Sequence, residues 1–434
     1  MKELGAGETI FALSSGQPPA AIGIIRVSGQ KAFDTLTKIA GKLPKPRTGS
    51  LAKITNPVNN EILDEALCLS FPGPNSATGE DLVEIHCHGG RAVIRAIEGT
   101  LEQLEGLRRA EPGEFTRRAF ANGRMDLAEA EGLSDLLFAE TEWQRKAAIQ
   151  SAQGSLSRQV GLWQSELLRI SALVEAELDF SDEDDVAPAQ TERIGSASAS
   201  LMNDIAQVLA RPRAEKLKEG LRVVLGGPPN SGKSTLLNAL VDREAAIVSA
   251  IAGTTRDVIE VPVSLGGIPF LLIDTAGVRD KGAEEIEQIG IDRAKNEFIK
   301  ADIILWLGTE GEGPDNPNLV EIASRSDAAD FISKKETALS LSPKTGDGIG
   351  DLVDLLLDKA KKVLPAVDQF SVNQRQADLM AKAKSELEMM EAQSDLLIMA
   401  EHLRLARQSL DAITGKSSTE DMLDTLFGKF CIGK

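Results

Sequence analysis

The stretch from Gly227 to Ser234 constrains this chain more than any other. It reads Gly-Pro-Pro-Asn-Ser-Gly-Lys-Ser and fits G-x-x-x-x-G-K-[ST], whose glycines let backbone N–H groups converge on phosphate oxygens. Residues 221–225 are mostly apolar and predict a buried strand before it, and residues 235–240 predict a helix after it. Lys233 is expected to reach the β- and γ-phosphates, and the Ser234 hydroxyl to ligate Mg²⁺. This setting favours a nucleotide site over a chance glycine loop.

Two further signals, in the expected order, favour a switch GTPase over a generic ATPase. Residues 253–257 read Gly-Thr-Thr-Arg-Asp and lie in a polar loop between apolar runs. Residues 270–274 predict a strand that ends in Asp274, and Thr-Ala-Gly277 follows it. In such a D-x-x-G segment the aspartate holds Mg²⁺ through water, and the glycine N–H bonds the γ-phosphate. Each signal is weak alone, but together they indicate a nucleotide-dependent switch.

The base-reading element departs from the usual N-K-x-D pattern. Its best match is Ser324-Arg-Ser-Asp327, in which the aspartate is kept to accept from guanine N1 and N2. Arg325 can stack on the base, whereas Ser324 cannot reproduce the contacts of an asparagine. Residues 342–346, Ser-Pro-Lys-Thr-Gly, resemble the loop that supports guanine O6. The sequence therefore predicts guanine, with specificity weakened at Ser324.

Length and charge limit the remaining function classes. A chain of 434 residues is expected to hold two to three domains. Its net charge of −18 argues against binding nucleic acid through an overall field, so any RNA contact must use local patches or a partner protein. The cysteines, Cys68, Cys87 and Cys431, are too few for a disulfide framework. Without a signal-like apolar start or a membrane-length apolar run, we expect a cytoplasmic protein with no membrane span.

Residues 1–120 predict a mixed α/β region with strands over 21–27, 65–70 and 82–88. The third alternates, which puts Glu84, His86 and His88 on one face. These histidines flank Cys87 and raise the question of a metal site. No other Cys/His pair stands nearby, so satisfied polar side chains are favoured.

Five arginines form the densest basic group of this region: Arg108, Arg109, Arg117, Arg118 and Arg124. One interpretation is a solvated charged face. The other is a pocket for an acidic small molecule or an RNA phosphate. The sequence leaves both open.

Helical periodicity begins at Met125 and returns after Leu364-Pro365. A first helix is expected to end in the acidic run 179–185, with Pro188 breaking it, and a second to cover 191–217. Two apolar seams predict helix–helix packing. They are Leu156, Val160, Trp163, Leu167, Ile170 and Val174, and Met399, Leu403, Ala406, Leu410 and Ile413. Helices on both sides of the nucleotide region predict one helical domain with a GTPase inserted in it.

At this point the motifs match one family. The chain resembles the MnmE (TrmE) tRNA-modification GTPases in its I-I-R-V-S-G strand end, in residues 74–81, 112–120 and 253–257, and in the terminal Phe-Cys-Ile-Gly-Lys. The resemblance covers essentially the whole chain and implies a multidomain α/β plus α protein. The implied domains are a folate-binding and dimerisation domain at 1–120, a helical domain in two parts at 121–217 and 364–434, and an inserted Ras-like GTPase domain at 218–363.

The resemblance also implies an activity. Members of the family act with the flavoprotein MnmG, in a heterotetramer, to add an aminomethyl-type group at carbon 5 of the tRNA wobble uridine. The carbon comes from a folate one-carbon unit, for which 5-formyltetrahydrofolate or a related folate is expected here. GTP hydrolysis depends on K⁺ and Mg²⁺ and on dimerisation, and the protein is a homodimer.

Residue by residue, the resemblance implies catalytic roles for Glu287, which positions water, and for Cys431, which would otherwise be a small buried apolar residue. The K⁺ ligands implied are Asn230, Ser249, Ile251 and Thr254; the Mg²⁺ ligands are Ser234 and Thr255; the folate-binding residues are Arg26, Glu84, Arg124 and Lys434. The full nucleotide-binding set is Gly227, Asn230, Ser231, Gly232, Lys233, Ser234, Thr235, Ser249, Ala250, Ile251, Ala252, Gly253, Thr254, Thr255, Asp274, Thr275, Ala276, Gly277, Asp327, Ser342, Pro343 and Lys344. Ser249 stands where threonine is usual, and Arg124 where lysine is common.

Two other classes of function stay open beside this one. One is a regulatory GTPase of ribosome assembly that performs no RNA chemistry. The other is a folate-dependent one-carbon transferase whose GTPase domain serves only as a clock. Analysis of tRNA wobble nucleosides separates the first from a modification enzyme.

Overall fold

The computed structural model describes residues 7–179, 187–243, 259–275, 295–329, 331, 333–335, 339–366, 369–417, 420–428 and 430–434. The chain divides into two compact units. The first joins Met1–Ser134 to Asp411–Lys434, and the second is Asp135–Leu410.

A six-stranded sheet forms the centre of the first unit, in the order β3-β4-β5-β2-β1-β6. Neighbouring strands are antiparallel except β1 and β6. The strands are β1 (Thr9–Leu13), β2 (Ile22–Ser28), β3 (Ser50–Thr55), β4 (Ile62–Phe71), β5 (Leu82–His88) and β6 (Leu107–Arg109). The three strands predicted from the sequence are confirmed as β2, β4 and β5.

The helices in the N-terminal part of this unit are α1 (Ala32–Ala40), α2 (Arg91–Glu102), α3 (Glu114–Ala121) and α4 (Leu127–Leu137). Strand alternation divides the sheet residues between two faces. Ile25, Val27 and Ile85 join a core with α1 and α2. The alternate positions, Arg26 and Glu84, lie opposite each other on the other face. The mixed α/β prediction for this region is confirmed.

An ion-pair cluster at the start of α3 contains two of the five arginines, Arg108 and Arg118. Glu114, whose side chain is 1% exposed, receives two hydrogen bonds of 2.7 Å from Arg108 and two from Arg118, at 2.9 and 3.3 Å. Its Oε2 also accepts from the Glu111 N–H. Burial acts to raise the pKa of Glu114, but these hydrogen bonds outweigh burial and hold the pKa below its usual value.

The last helix, α13 (Glu420–Phe427), packs against α3 and α4 rather than ending the chain in solvent. Its Phe427 shares a small core with Leu127 and Phe430. Arg117 adds an ion pair of 2.6 Å to Asp424. The chain terminus is therefore a structural part of the first unit.

The nucleotide region of the second unit is a doubly wound sheet in the order β12-β11-β10-β7-β9-β8, parallel except between β8 and β9. Its strands are β7 (Leu221–Gly226), β8 (Ile259–Leu265), β9 (Ile268–Asp274), β10 (Ile303–Trp306), β11 (Leu319–Ala323) and β12 (Leu339–Ser340). Its helices include α9 (Lys233–Arg243) and α10 (Ile349–Val363), and residues 295–300 are also helical. Parallel neighbours are usually joined through a helix. Residues 307–318, between β10 and β11, instead form a loop without one.

The other helices of this unit are α5 (Glu142–Ala152), α6 (Ser155–Asp179), α7 (Ala187–Leu209), α8 (Ala214–Glu219), α11 (Gln374–Glu391) and α12 (Leu396–Thr414), of which α12 continues into the first unit. Both α6 and α11 pack against α7. Capping boxes at Thr141 and Asn373 begin α5 and α11. No helix among the described residues is long and apolar enough to cross a lipid bilayer.

Both predicted apolar seams are buried and thus confirmed. The single helix predicted over 191–217 is wrong, because α7 begins earlier and ends at Leu209, and a separate α8 follows. Pro212 explains the break, since proline removes a backbone donor and disfavours helix at the residue before it. Pro188 lies in the first turn of α7, where proline is tolerated. The acidic run after Asp179 falls outside the described residues.

Replacing Glu114 with glutamine should destabilise the first unit by about 3 kcal/mol, the low end for a broken buried ion pair, because Arg108 stays partly hydrated. The folded-state pKa of Glu114 is depressed. Its contribution is therefore present above the unfolded pKa of about 4.3 and is lost as the pH falls through the folded value. Urea unfolding followed by circular dichroism at pH 7 and pH 3 measures this difference.

Two controls accompany this measurement. Glu102→Gln removes an exposed partner of Arg109 and should cost only a few tenths of a kcal/mol. The tryptophans, Trp143, Trp163 and Trp306, all lie in the second unit, so the fluorescence transition should not move. Equal stability losses for Glu114→Gln and Glu102→Gln at pH 7 would contradict the buried ion-pair account.

Candidate functional site

The phosphate-loop segment connects β7 to α9 at the carboxyl end of the central strand. Because β7 lies between β9 and β10, this is the switch point of the sheet, where ligands of doubly wound folds bind. The loop needs left-handed backbone at Gly227, Asn230 and Gly232, with φ of 142°, 62° and 99°. Glycine adopts such values without strain, and asparagine tolerates them better than most residues.

Charged and hydroxyl side chains converge at this strand end. Lys233 is 5% exposed, and its ammonium donates to the carbonyls of Gly227 and Pro228 at 2.9 and 2.8 Å. The Ser234 hydroxyl donates to Asp274 Oδ2 at 2.6 Å. Thr275 fixes the end of β9 by donating to the Leu225 carbonyl at 2.9 Å. The predicted residues of the loop and of β9 thus lie together.

The two predicted base-reading segments also meet. Ser342 is buried, and its hydroxyl donates to Asp327 Oδ1 at 2.5 Å, which lowers the pKa of Asp327. The backbone continues the connection, since Ser326 N–H donates to the Leu341 carbonyl at 3.1 Å. An ionised Asp327 is the acceptor that a guanine edge requires.

Ser324 lies against the phosphate loop. A β-carbon added at Gly232 would be 3.0 Å from Ser324 Oγ, so the two segments are in close contact. The Oγ atoms of Ser324 and Ser231 are both buried and have no hydrogen-bond partner among the described residues. A buried unpaired hydroxyl is costly, and a longer amide at position 324 has more ways to find a partner.

Part of the predicted site lies outside the described residues. This applies to Ser249, Ala250, Ile251, Ala252, Gly253, Thr254, Thr255, Ala276, Gly277 and Glu287. Among the described members, Asn230 is exposed on the loop and Thr235 is exposed near the start of α9.

In the first unit, Arg26 and Glu84 form an ion pair across β2 and β5. Arg26 donates to Glu84 Oε1 at 2.8 and 3.2 Å, and His86 Nε2 lies 3.2 Å from Oε2. Burial acts to raise the pKa of Glu84, but the hydrogen bonds from Arg26 and His86 act to lower it. The hydrogen bonds outweigh burial, so the pKa lies below its usual value. Sequence reasoning missed Phe115, whose ring centroid is 5.7 Å from the Arg26 guanidinium. The sequence signal that could have identified Phe115 is its position within the motif at residues 112–120.

The histidines of β5 are paired with carboxylates. His88 Nδ1 is 2.7 Å from Asp64 Oδ1, and the His88 N–H donates to Asp64 Oδ2 at 2.7 Å. Among the described residues there is no cluster of His, Cys, Asp and Glu that could hold a metal ion. The interpretation of these histidines as satisfied polar side chains is confirmed.

The arginine group separates into four members with ion-pair partners and Arg124. Arg108 and Arg118 bind Glu114, Arg109 binds Glu98 and Glu102, and Arg117 binds Asp424. Arg124 is exposed, and its Cγ would be 3.2 Å from a β-carbon at Gly79. Of the five, Arg124 is the one for which the described residues supply no ion pair.

The C-terminal residues lie on the same unit as Arg26 and Glu84. Cys431 is exposed, so its interpretation as a small buried residue is wrong. Cys68 and Cys87 are buried, and burial raises the pKa of each thiol to about 11. Lys434 is half-buried and its N–H donates to the Cys431 carbonyl at 3.2 Å. The glycine that holds this tail, Gly433, was also missed.

Two protein-family models match the chain: the MnmE helical domain over residues 127–431 and the GTP-binding protein TrmE N-terminus over residues 9–124. Curated relatives match over nearly its whole length. The protein named tRNA modification GTPase MnmE from Erythrobacter litoralis is 57% identical over 430 residues, which cover 98% of this chain and 100% of the relative. Proteins of the same name from Novosphingobium aromaticivorans and Sphingopyxis alaskensis are 54% and 52% identical, over 98% and 94% of this chain and 100% of each relative.

Ser324→Asn should tighten GDP binding by about tenfold, because the amide can pair where the serine hydroxyl is unpaired, a difference of about 1–3 kcal/mol. Isothermal titration with GDP measures it. Ser326→Asn is the matched control. Ser326 lies two residues after Ser324 and is exposed, so this substitution should leave the affinity for GDP unchanged. Equal dissociation constants for Ser324→Asn and the wild type would mean that the base-reading element lies elsewhere.

Proposed function

The chain belongs to the MnmE family of tRNA modification GTPases, and we propose that it hydrolyses GTP to modify the wobble uridine of tRNA. The observation that carries this proposal is the convergence at one sheet edge of Lys233, the Ser234–Asp274 pair and the Asp327–Ser342 pair. A cationic side chain beside a glycine loop suits phosphates, and an ionised aspartate suits a guanine edge. Each of the three has a place in GTP binding.

The donor set at the strand end fits Mg²⁺. Ser234 and Asp274 present a hydroxyl and a carboxylate within 2.6 Å of each other, and Mg²⁺ prefers oxygen ligands. We assign Ser234 and Thr255 as ligands, with Asp274 acting through water. Lys233 binds the β- and γ-phosphates, and Thr275 keeps Asp274 at the end of β9.

We further propose that hydrolysis depends on K⁺ held by Asn230, Ser249, Ile251 and Thr254. Asn230 supports this assignment because it is exposed on the loop and its side-chain oxygen is a hard donor suited to such a cation. Bound K⁺ would offset charge that develops between the β- and γ-phosphates, the service that an arginine provides in other GTPases. Glu287 orients the attacking water.

The one-carbon chemistry is proposed for the first unit. Folate carries an anionic glutamate tail, for which Arg26, Arg124 and Lys434 are cationic partners, and a pterin ring whose donors suit the Glu84 carboxylate. The exposed Cys431 thiol is the proposed reactive group of this site. We assign 5-formyltetrahydrofolate or a related folate as carbon donor.

The partners proposed are a second copy of the chain, the flavoprotein MnmG in a heterotetramer, and tRNA, all in the cytoplasm. With a net charge of −18, the chain must bind tRNA through local patches or through MnmG. The proposed product is an aminomethyl-type group at carbon 5 of the wobble uridine. The domain boundaries proposed are those at residues 120, 217 and 363.

Asn230→Ala should reduce potassium-stimulated GTP turnover by about a hundredfold, the usual cost of losing one preorganised electrostatic contact. Steady-state turnover in KCl and in NaCl at equal ionic strength measures it. Asn238→Ala, an exposed asparagine of α9 beyond the loop, is the matched control and should behave as the wild type. Equal wild-type turnover in sodium and potassium would overturn the cation assignment.

Deleting residues 431–434 should abolish folate binding and wobble-uridine modification while GTP turnover stays near normal. The physical reason is that Cys431 and Lys434 belong to the first unit, whereas Lys233 and Asp274 belong to the second. Mass spectrometry of wobble nucleosides from a complemented deletion strain, with 5-formyltetrahydrofolate titration of the purified protein, measures both losses. The truncation keeps Phe430, so the small core with Phe427 stays intact.

Cys431→Ser separates binding from chemistry in the same assays. It keeps the tail at full length, so folate should bind while modification is lost. Unchanged folate affinity in the truncated protein would assign the tail a different role. Normal wobble nucleosides without the protein would instead favour a regulatory GTPase of ribosome assembly.

A further inference from the structure

The penultimate residue of the chain meets the backbone of the N-terminal sheet. Gly433 is buried and has a φ of 96°. A β-carbon added there would lie 2.1 Å from the Leu13 carbonyl oxygen, 2.9 Å from its carbonyl carbon and 3.0 Å from Ser14 Cα. All three atoms are backbone, so a side-chain rotation cannot relieve the contact.

The tail is also fixed on its other side. Phe430 is 3% exposed and belongs to the small core with Phe427. Ile432 pairs with Pro112 in an isolated antiparallel bridge, and Gly113 N–H approaches the Cys431 carbonyl at 3.5 Å. Cys431 and Ile432 are nevertheless exposed. The last residues therefore form a short arch, anchored at Phe430 and Gly433, with the thiol between the anchors.

This arch meets the sheet one strand from the Arg26–Glu84 pair. Leu13 ends β1, and the residue before it, Ala12, lies opposite Arg26 on β2. Arg26 in turn lies opposite Glu84 on β5. Neighbouring strands are about 4.8 Å apart, so the backbone that anchors the tail lies on the strand next to Arg26.

We propose that Gly433 is the positioning residue of the folate-dependent step. Its close approach to Leu13 fixes the Cys431 thiol and Lys434 relative to Arg26 and Glu84. Residues 431–434 thus form a fixed side of the proposed site and do not need to close over a ligand. This inference rests on the proposed folate chemistry of the first unit and adds the residue that holds this side in place.

Only glycine satisfies both conditions at this position. A positive φ disfavours any side chain, and a β-carbon would overlap a carbonyl of β1. Leu13 cannot retreat without disturbing its pairing with Ile25 on β2. In Gly433→Ala the tail should therefore leave its seat while the sheet keeps its structure.

The test compares Gly433→Ala with Gly41→Ala in the full-length protein. Gly41 also has a positive φ, 71°, but nothing lies within 4 Å of an added β-carbon, so it controls for backbone strain without the overlap. Release of Lys434 by carboxypeptidase B, followed by mass spectrometry, reports whether the tail is seated. Each rate is divided by that of a synthetic pentapeptide with the same ending. We expect release to rise about tenfold or more in Gly433→Ala and to stay at the wild-type value in Gly41→Ala.

The functional arms use 5-formyltetrahydrofolate binding, wobble-nucleoside analysis and GTP turnover. Gly433→Ala should weaken folate binding about tenfold or more and lower modification in proportion, with unchanged GTP turnover. If carboxypeptidase B releases Lys434 from Gly433→Ala no faster than from the wild type, the contact between Gly433 and Leu13 does not hold the tail in place. Faster release with wild-type folate binding and modification would overturn the positioning role. If the wild type binds no folate, the proposed function fails, although the seat is still measured by the protease.

Discussion

Two linkers that run side by side hold the arrangement together. The chain enters the nucleotide region near Ala214 and returns near Val372, and Ala214 N–H donates to the Val372 carbonyl at 3.1 Å. One residue further along the first linker, Glu215 accepts from the Gln374 N–H at 2.7 Å. Because the chain enters and leaves the nucleotide region at neighbouring points, this region can be inserted without separating the helices on either side of it. The helices on either side can then pack as one body, as α6, α7 and α11 do.

Helix α5 supports the inserted region from the side. The Trp143 indole donates to the Pro365 carbonyl and its N–H to the Gly267 carbonyl, both at 3.1 Å. Ala147 enters the same core as Phe270 of β9. Strand β9 thus contacts α5 near its beginning and presents Asp274 at its end. The aspartate proposed to act at the nucleotide site and the helical part are connected through the seven residues of one extended strand.

Features with a local cause were predictable from the sequence. The phosphate loop, the strand ending in Asp274 and the two apolar seams each depend on spacing within a few residues, and the structure has all of them. The break between α7 and α8 was missed although Pro212 marks it, because helical periodicity continued across it. The seat of Gly433 had no local signal. Its partner Leu13 lies at the opposite end of the sequence, and a glycine near a terminus is most often unconstrained.

The arginine group shows why charge density alone does not locate a binding site. Arg108 finds one partner six residues away in Glu114, but its other partner, Glu8, is 100 residues away. Arg118 reaches Glu80 over 38 residues, and Arg117 reaches Asp424 over 307. Sequence proximity predicts the first of these contacts and none of the others.

The cationic side chains that have no ion pair among the described residues are the candidates for anion binding in the first unit. The carboxylates of a chain with 66 acidic and 48 basic residues have taken up the crowded arginines. Breaking such pairs to admit a ligand would leave carboxylates such as Glu114 buried without a counterion. For the anion binding proposed above, the exposed Arg124 is therefore the member of this group that can contact a ligand without breaking an ion pair among the described residues. The four paired arginines stabilise the fold, and Arg124 is the member of the group to which the proposed binding role is assigned.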